Sequence, residues 1–259
     1  MATRRFLILL AVVLGVTVTA AGLMAADADP ALQFRKYESR HFTVRFEGRE
    51  DPALVWALLE RLESACRAVG RQLGAFPGSR VPVMLYTNGE FPAHASVPHW
   101  AQGLFDGQIR LAVAWAALHG ESLDKTLRHE YTHALVHART GGNVPTWLSE
   151  GLAIVAENRG ADEARRVMGN AGHVIPLDAL HGSFLTLAPT QVPLAYAESE
   201  TAVRYLLTVH GDAAVRTLLM RLGETRDFAA AIRDATGGTY AEFQSAWMRS
   251  LIDARKTDG

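Results

Sequence analysis

Two histidines four residues apart flank a glutamate in the run His129-Glu130-Tyr131-Thr132-His133. On an α-helix, residues four apart lie on one face, one turn apart. Both imidazoles can then close on a single ion, and Zn–N bonds of about 2.0–2.1 Å suit that spacing. Glu130 points about 100° away around the helix. It therefore stands beside the ion rather than on it, the position of a general base acting on a metal-activated water. The pattern predicts a zinc-dependent hydrolase with one catalytic Zn2+.

A catalytic zinc takes three protein ligands and keeps one position open. His137 continues the four-residue spacing, but it lies about 12 Å along the axis from His129, too far for one ion to reach both. A longer motif would need a glycine at 136 and a histidine at 139, where this chain has Val136 and Arg139. Glu150 sits among Trp147, Leu148, Leu152 and Ile154. A carboxylate in so apolar a stretch needs a partner, because burying an unpaired charge is costly. Zinc would be that partner. Glu157, the rival, lies beside Asn158-Arg159-Gly160 and reads as an exposed helix end. His129, His133 and Glu150 are the expected ligands, and Gly151 is expected to let the two metal-site helices approach closely.

The elements that must carry these residues follow from periodicity and punctuation. His41 to Phe46 alternates as a half-buried strand does. Asp51-Pro52 opens a helix that runs to Leu73 and stops at Gly74. Val81 to Tyr86 is a second strand and Gln108 to Val113 a third, with Ile109, Leu111 and Val113 on one face. Residues 88 to 107, rich in Gly, Pro, His and Trp, read as a loop that could cover a cleft. Ser122 caps a long helix that carries the histidines and ends at Gly141-Gly142. Pro145 opens the next helix, which ends near Gly160. Beyond Glu198 the chain reads as helices near 198–209, 212–222, 226–235 and 239–254. The fold class is α+β, with a small sheet lobe (about 40–120), metal-site helices (about 122–159) and a helical lobe (about 195–255).

Composition narrows the function. The 259 residues carry a net charge of −1, which argues against a dedicated nucleic-acid binder. Arg4 and Arg5 precede an uncharged stretch from Phe6 to Met24, followed by Ala26-Asp27-Ala28, a small-x-small cleavage site. Residues 1–28 read as a cleaved signal peptide; the alternative is an N-terminal membrane anchor, a weak one given its Ala, Gly and Thr content. Either way the chain from about Asp29 onward is expected to be exported, to the periplasm or the medium, or held at the membrane. Cys66 is the only cysteine, so no intrachain disulfide forms, and its apolar-periodic setting predicts a buried thiol. No signature of an oligomeric state is present.

His129-Glu-Tyr-Thr-His133 followed by Pro145-Thr-Trp-Leu-Ser-Glu150-Gly-Leu-Ala resembles the gluzincin metallopeptidases, most closely the peptidase MA-like branch, whose second motif is commonly written Trp-Leu-x-Glu-Gly-Leu-Ala. Gly103 to Leu111, Tyr196-Ala-Glu-Ser199, Val203-Arg-Tyr-Leu206 and Gly211 extend the similarity, over residues 40 to 250 in all. The resemblance implies a zincin-like fold, with a thermolysin-like cleft between a sheet lobe and a helical lobe, and Glu150 as third ligand. One departure stands out. The positions after Glu150 read Gly-Leu-Ala-Ile, without the Asp that larger relatives use to orient a histidine ligand, so that support must come from elsewhere.

The function expected is hydrolysis of peptide bonds in a peptide or protein substrate. Glu130 takes the water proton and passes it to the leaving amine, and Tyr196, in its family-like motif, is the candidate oxyanion donor. His173 and His181 are weaker candidates, in loop-like sequence. Strand 108–113 could bind substrate as an added strand. Two alternatives remain: a zinc amidase or aminopeptidase acting on small or cell-wall peptides, although no amine-binding acidic motif is evident, and a catalytically silent zinc-stabilised binding or assembly module.

Overall fold

A computed structural model describes residues 36–47, 51–86, 91, 103–113 and 120–257. The expected signal or anchor at 1–28 lies outside the described residues, as does most of the 88–107 segment. No described helix is long and apolar enough to cross a membrane.

Five strands form one mixed sheet: β1 (Lys36–Glu38), β2 (Phe42–Glu47), β3 (Val81–Tyr86), β4 (Gly103–Phe105) and β5 (Ile109–Ala112), in the order β1-β2-β3-β5-β4. The β2–β3 and β3–β5 pairs are parallel; the outer β1–β2 and β4–β5 pairs are antiparallel. Register follows the alternation of apolar residues. Phe42 pairs with Val81 and Val83 with Ile109, and Val44, Leu85 and Leu111 share their burial.

Helix α1 (Pro52–Leu73) links β2 to β3 and begins and ends where its punctuation predicts. The Asp51 carboxylate accepts from the Leu54 N–H, and Gly74 takes the left-handed conformation (φ 65°) that closes the helix. That conformation suits glycine because it has no Cβ to clash. Cys66 is buried, as expected, and its thiol donates to the Tyr131 hydroxyl at 3.2 Å.

Helix α2 (Glu121–Thr140) carries the histidine motif and α3 (Thr146–Ala156) carries Glu150. The start of α2 differs from expectation. Gly120, not Ser122, is the capping residue, without a side-chain hydrogen bond, and Glu121 and Asp124 supply negative charge to the first turn instead. Three further differences concern connections. The end of the expected loop 88–107 is β4. A short helix α4 (Asp162–Asn170) follows α3. Helix α5 (Val192–Thr225) starts before Glu198, because Pro193 is tolerated in a first helical turn, and it bends at Gly211 (φ 77°, ψ 174°). Tyr196 therefore stands on α5 itself. Helices α6 (Phe228–Thr236) and α7 (Tyr240–Thr257) complete the helical part. Trp147 of α3 ties them down, lying 6.2 Å from the Phe243 ring and edge-on to Phe228.

One apolar core runs from the sheet face through α1 and α2 to α5, α6 and α7. The close approach that Gly151 provides is to α5 rather than α2. A Cβ there would lie 2.3 Å from the Ser199 carbonyl oxygen and 2.5 Å from Val203 Cγ2. This contact presses α3 onto α5 and holds Glu150 against α2.

Candidate metal centre

Three ligand atoms converge where α2 meets α3. Glu150 Oε2 lies 3.7 Å from His129 Nε2 and 3.8 Å from His133 Nε2. All three residues are buried, and none of these atoms has a hydrogen-bond partner. Both separations are too long for hydrogen bonds. They are slightly wider than the roughly 3.4 Å between two ligands of a tetrahedral zinc with bonds of about 2.0–2.1 Å. Buried polar atoms without partners are costly, and three pointing at one another describe a cation site. The His-His-Glu group fits a divalent metal.

The electrostatics ask for positive charge at the same point. Burial opposes charging His129, but the carboxylates of Glu150 and Glu157 on either side outweigh it and raise its pKa to about 10. His133 moves the other way: burial, then the charge on His129, push it well down. Burial also raises Glu150, with His129 pulling it back.

A second group of potential ligands shows the contrast. His41, Glu63 and Cys66 also lie close together, but their polar atoms are satisfied. Glu63 Oε2 meets His41 Nδ1 at 2.7 Å, Oε1 accepts from Ser39 Oγ and the His41 backbone N–H, and Cys66 donates to Tyr131. This group clamps the turn before β2 to α1.

The orientation of His129 comes from Glu157. Its Oε1 lies 2.8 Å from His129 Nδ1, on the ring edge opposite the converging lone pairs. With Nε2 facing a metal, Nδ1 carries the proton and donates to this carboxylate, fixing tautomer and ring angle. Glu157 thus lies behind His129 and outside the ligand triangle, and it does not stand at an exposed helix end: its side chain is only 12% accessible. Arg159 Nε reaches Glu157 Oε2 at 3.1 Å, and Arg159 Nη2 reaches the fully buried Glu200 at 2.8 Å. Arg204 in turn pairs with Glu200 and donates to the Arg159 carbonyl. His133 has a neutral counterpart, with Nδ1 at 2.9 Å from Ser149 Oγ. A signal for Glu157 was available: it lies seven residues, two helical turns, after Glu150 and so on the same face.

Glu130 lies beside the ligand triangle, fully buried, with neither carboxyl oxygen partnered. Burial raises its pKa to about 8; the charge on His129 opposes the rise, and Glu150 and Glu157 add to it. Gly103 of β4 faces it directly. A Cβ there would fall 2.8 Å from Glu130 Cγ and 3.0 Å from Oε1. Tyr196 is nearly buried and lines a cavity with Glu150. Burial raises its pKa well up, and the charges of Glu150 and Glu130 add to that, which places the tyrosine near both carboxylates.

Two further histidines weighed as candidates, His173 and His181, and the neighbouring His137 lie elsewhere. His137 is exposed at the end of α2, against the Phe105 ring. His173 is exposed, and His181 Nε2 is engaged with the Tyr240 hydroxyl at 3.1 Å. Strand β5 is paired on both sides, so the expected strand 108–113 has no free edge; among the described residues the outer strand on that side is β4.

A comparison with curated proteins finds no match. Residues 71–253, from the end of α1 into α7, match the family model described as the peptidase MA superfamily, and with that span covering every candidate ligand the chain belongs to this superfamily.

Proposed function

We propose that the protein is a zinc-dependent peptidase that hydrolyses peptide bonds with His129, His133 and Glu150 as metal ligands and Glu130 as general base. The observation that carries the reading is the convergence of three unpartnered buried ligand atoms beside a buried carboxylate that is itself unpartnered. Zinc in this triangle would supply Lewis acidity, making water a nucleophile near neutral pH. Glu130 then accepts the proton as the water oxygen bonds to the carbonyl carbon. It delivers that proton to the amine nitrogen as the C–N bond breaks. The Tyr196 hydroxyl donates a hydrogen bond to the developing oxyanion.

An extended substrate would add beside β4, the outer strand on this side among the described residues, whose Gly103 packs directly on Glu130. A silent, zinc-stabilised module accounts less well for Glu130, since an unpaired buried carboxylate is costly and a structural metal does not need it. The reading of residues 1–28 further supports an exported protein, periplasmic, secreted or anchored at the membrane. Protease protection in spheroplasts with N-terminal sequencing tests that part.

The deciding experiment pairs metal analysis with a peptide-library digest of the wild type, Glu130→Gln and Glu150→Ala. The first variant should keep zinc and lose cleavage by about 100-fold or more; the second should lose zinc. Equal cleavage by Glu130→Gln overturns the base assignment, and undiminished zinc in Glu150→Ala overturns the third ligand.

A further inference from the structure

A second cavity, of about 400 Å³, opens where α1, α2, the end of α3 and α5 meet. Its polar lining is Gln72 of α1, Arg128 of α2, Asn158 and Arg159 just after α3, and Arg204 of α5; short apolar side chains of α1 and α3 make up the rest. None of His129, Glu130, His133, Glu150 and Tyr196 lines it, and among the described residues the lining holds no acid.

Two of the three guanidiniums are held in place. The fully buried Glu200 accepts from Arg159 Nη2 at 2.8 Å through one oxygen and from Arg204 Nε at 2.9 Å through the other. Arg204 Nη2 also donates to the Arg159 carbonyl at 2.8 Å. Arg159 meets Glu157 as well, and its Nη1 stands 3.6 Å from Glu163. A guanidinium carries five N–H donors, so these contacts leave Arg204 Nη1 without a partner among the described residues. Arg128 differs from both. It is half-buried, and its side chain makes no ion pair or hydrogen bond among the described residues.

We propose that this cavity binds a small organic anion through a phosphate or carboxylate group. The inference does not rest on the peptidase reading. Guanidinium forks match the oxygens of both groups. Glu200 has already fixed Arg159 and Arg204, so little side-chain freedom is lost on binding. Arg128 brings a positive charge that no carboxylate of the described residues answers. A cationic ligand would face three guanidiniums and no acid in the lining. The volume falls in the range of small-molecule sites and exceeds what a free phosphate fills, so the charged group arrives on an organic body, which the apolar part of the lining can cover.

The test titrates phenyl phosphate and benzoate into the zinc-loaded protein by calorimetry at low ionic strength. Saturable one-to-one binding is expected. Arg128→Gln should weaken it about 10- to 100-fold, the loss of a hydrogen bond to a charged group. Gln72→Glu adds a carboxylate to the lining and should weaken binding too. Gln72→Lys adds a cation and should tighten it, and opposite effects at one position do not come from misfolding. Phenyl phosphate bound more tightly than benzoate assigns a phosphate ester, and the reverse assigns a carboxylate. Absence of saturable binding overturns the proposal. So do affinities that stay unchanged in Arg128→Gln and in both Gln72 variants, because the anion then sits elsewhere, on the zinc or at the surface.

Discussion

Glu157→Ala should loosen zinc by about 10- to 100-fold while every ligand stays in place. The magnitude follows from the hydrogen bond it removes. His129 Nδ1 and Glu157 Oε1 stand 2.8 Å apart, with a side chain only 12% accessible and Arg159 fixing the other oxygen. A hydrogen bond to a charged group contributes about 1.5–3 kcal/mol, and a 10- to 100-fold loss of affinity corresponds to about 1.4–2.7 kcal/mol. The two ranges agree, so orientation of one imidazole accounts for the effect. Glu157→Gln keeps an acceptor but loses the charge, and should fall near the tenfold end. Arg159→Ala acts through the same carboxylate. Its cost should not add to that of Glu157→Ala, because the two residues share one network. Competition with a chelator at fixed pH gives the zinc affinities, and turnover at saturating zinc separates binding from chemistry. A Glu157→Ala protein with wild-type zinc affinity would refute the assignment. So would an equal loss from Ser149→Ala, since the neutral hydroxyl on His133 should matter less than the carboxylate on His129.

Three further outcomes follow from other contacts. Gly103→Ala puts a methyl 2.8 Å from Glu130 Cγ; it should keep zinc yet lower kcat by about a hundredfold, as misplacing a reacting group by about 1 Å does, and unchanged kcat at full metal occupancy counts against Glu130 as base. Gly151→Ala places a methyl 2.3 Å from the Ser199 carbonyl, an overpacking that should cost about 1–3 kcal/mol, seen as a lower Tm. Glu198 is buried with one oxygen bound only by the Ile175 N–H and the other unpartnered. Burial raises its pKa from 4.5 to about 8, the Ile175 hydrogen bond opposing the rise. The folded protein therefore holds a proton that the unfolded chain releases. This contribution is complete below about pH 4.5 and is lost as pH rises to about 8, with a limiting slope near 1.4 kcal/mol per pH unit for one proton. Urea midpoints in chelator from pH 5 to 9 should converge or cross between wild type and Glu198→Gln; parallel curves would rule the titration out.

Residues close in sequence were legible because local geometry decides where they point. Helical spacing alone puts His129 and His133 on one face, and the apolar neighbours of Glu150 bury it on α3. The caps of α1 were equally plain, because Asp51, Pro52 and Gly74 act through their own backbone and side chains. Glu157 reads as exposed from its sequence, since its neighbours are polar. Its burial comes from Arg159, Glu200 and Arg204, brought together by the packing of α3 and α4 on α5. β4 is indistinguishable from a loop in the sequence, because three residues are too few to show alternation; its identity comes from pairing with β5.

The order of residues along the chain already names the parts of the proposed centre: two imidazoles, a carboxylate for the third corner and a second carboxylate beside them. Those choices live in side-chain type and helical period, which short stretches of chain carry unaided. Packing across the fold sets what orients His129, which strand faces Glu130, and where the apolar cavity opens beside Glu150 and Tyr196. Each of these joins segments far apart in the chain, and the closing of such contacts is set by packing of the whole core rather than by any local pattern.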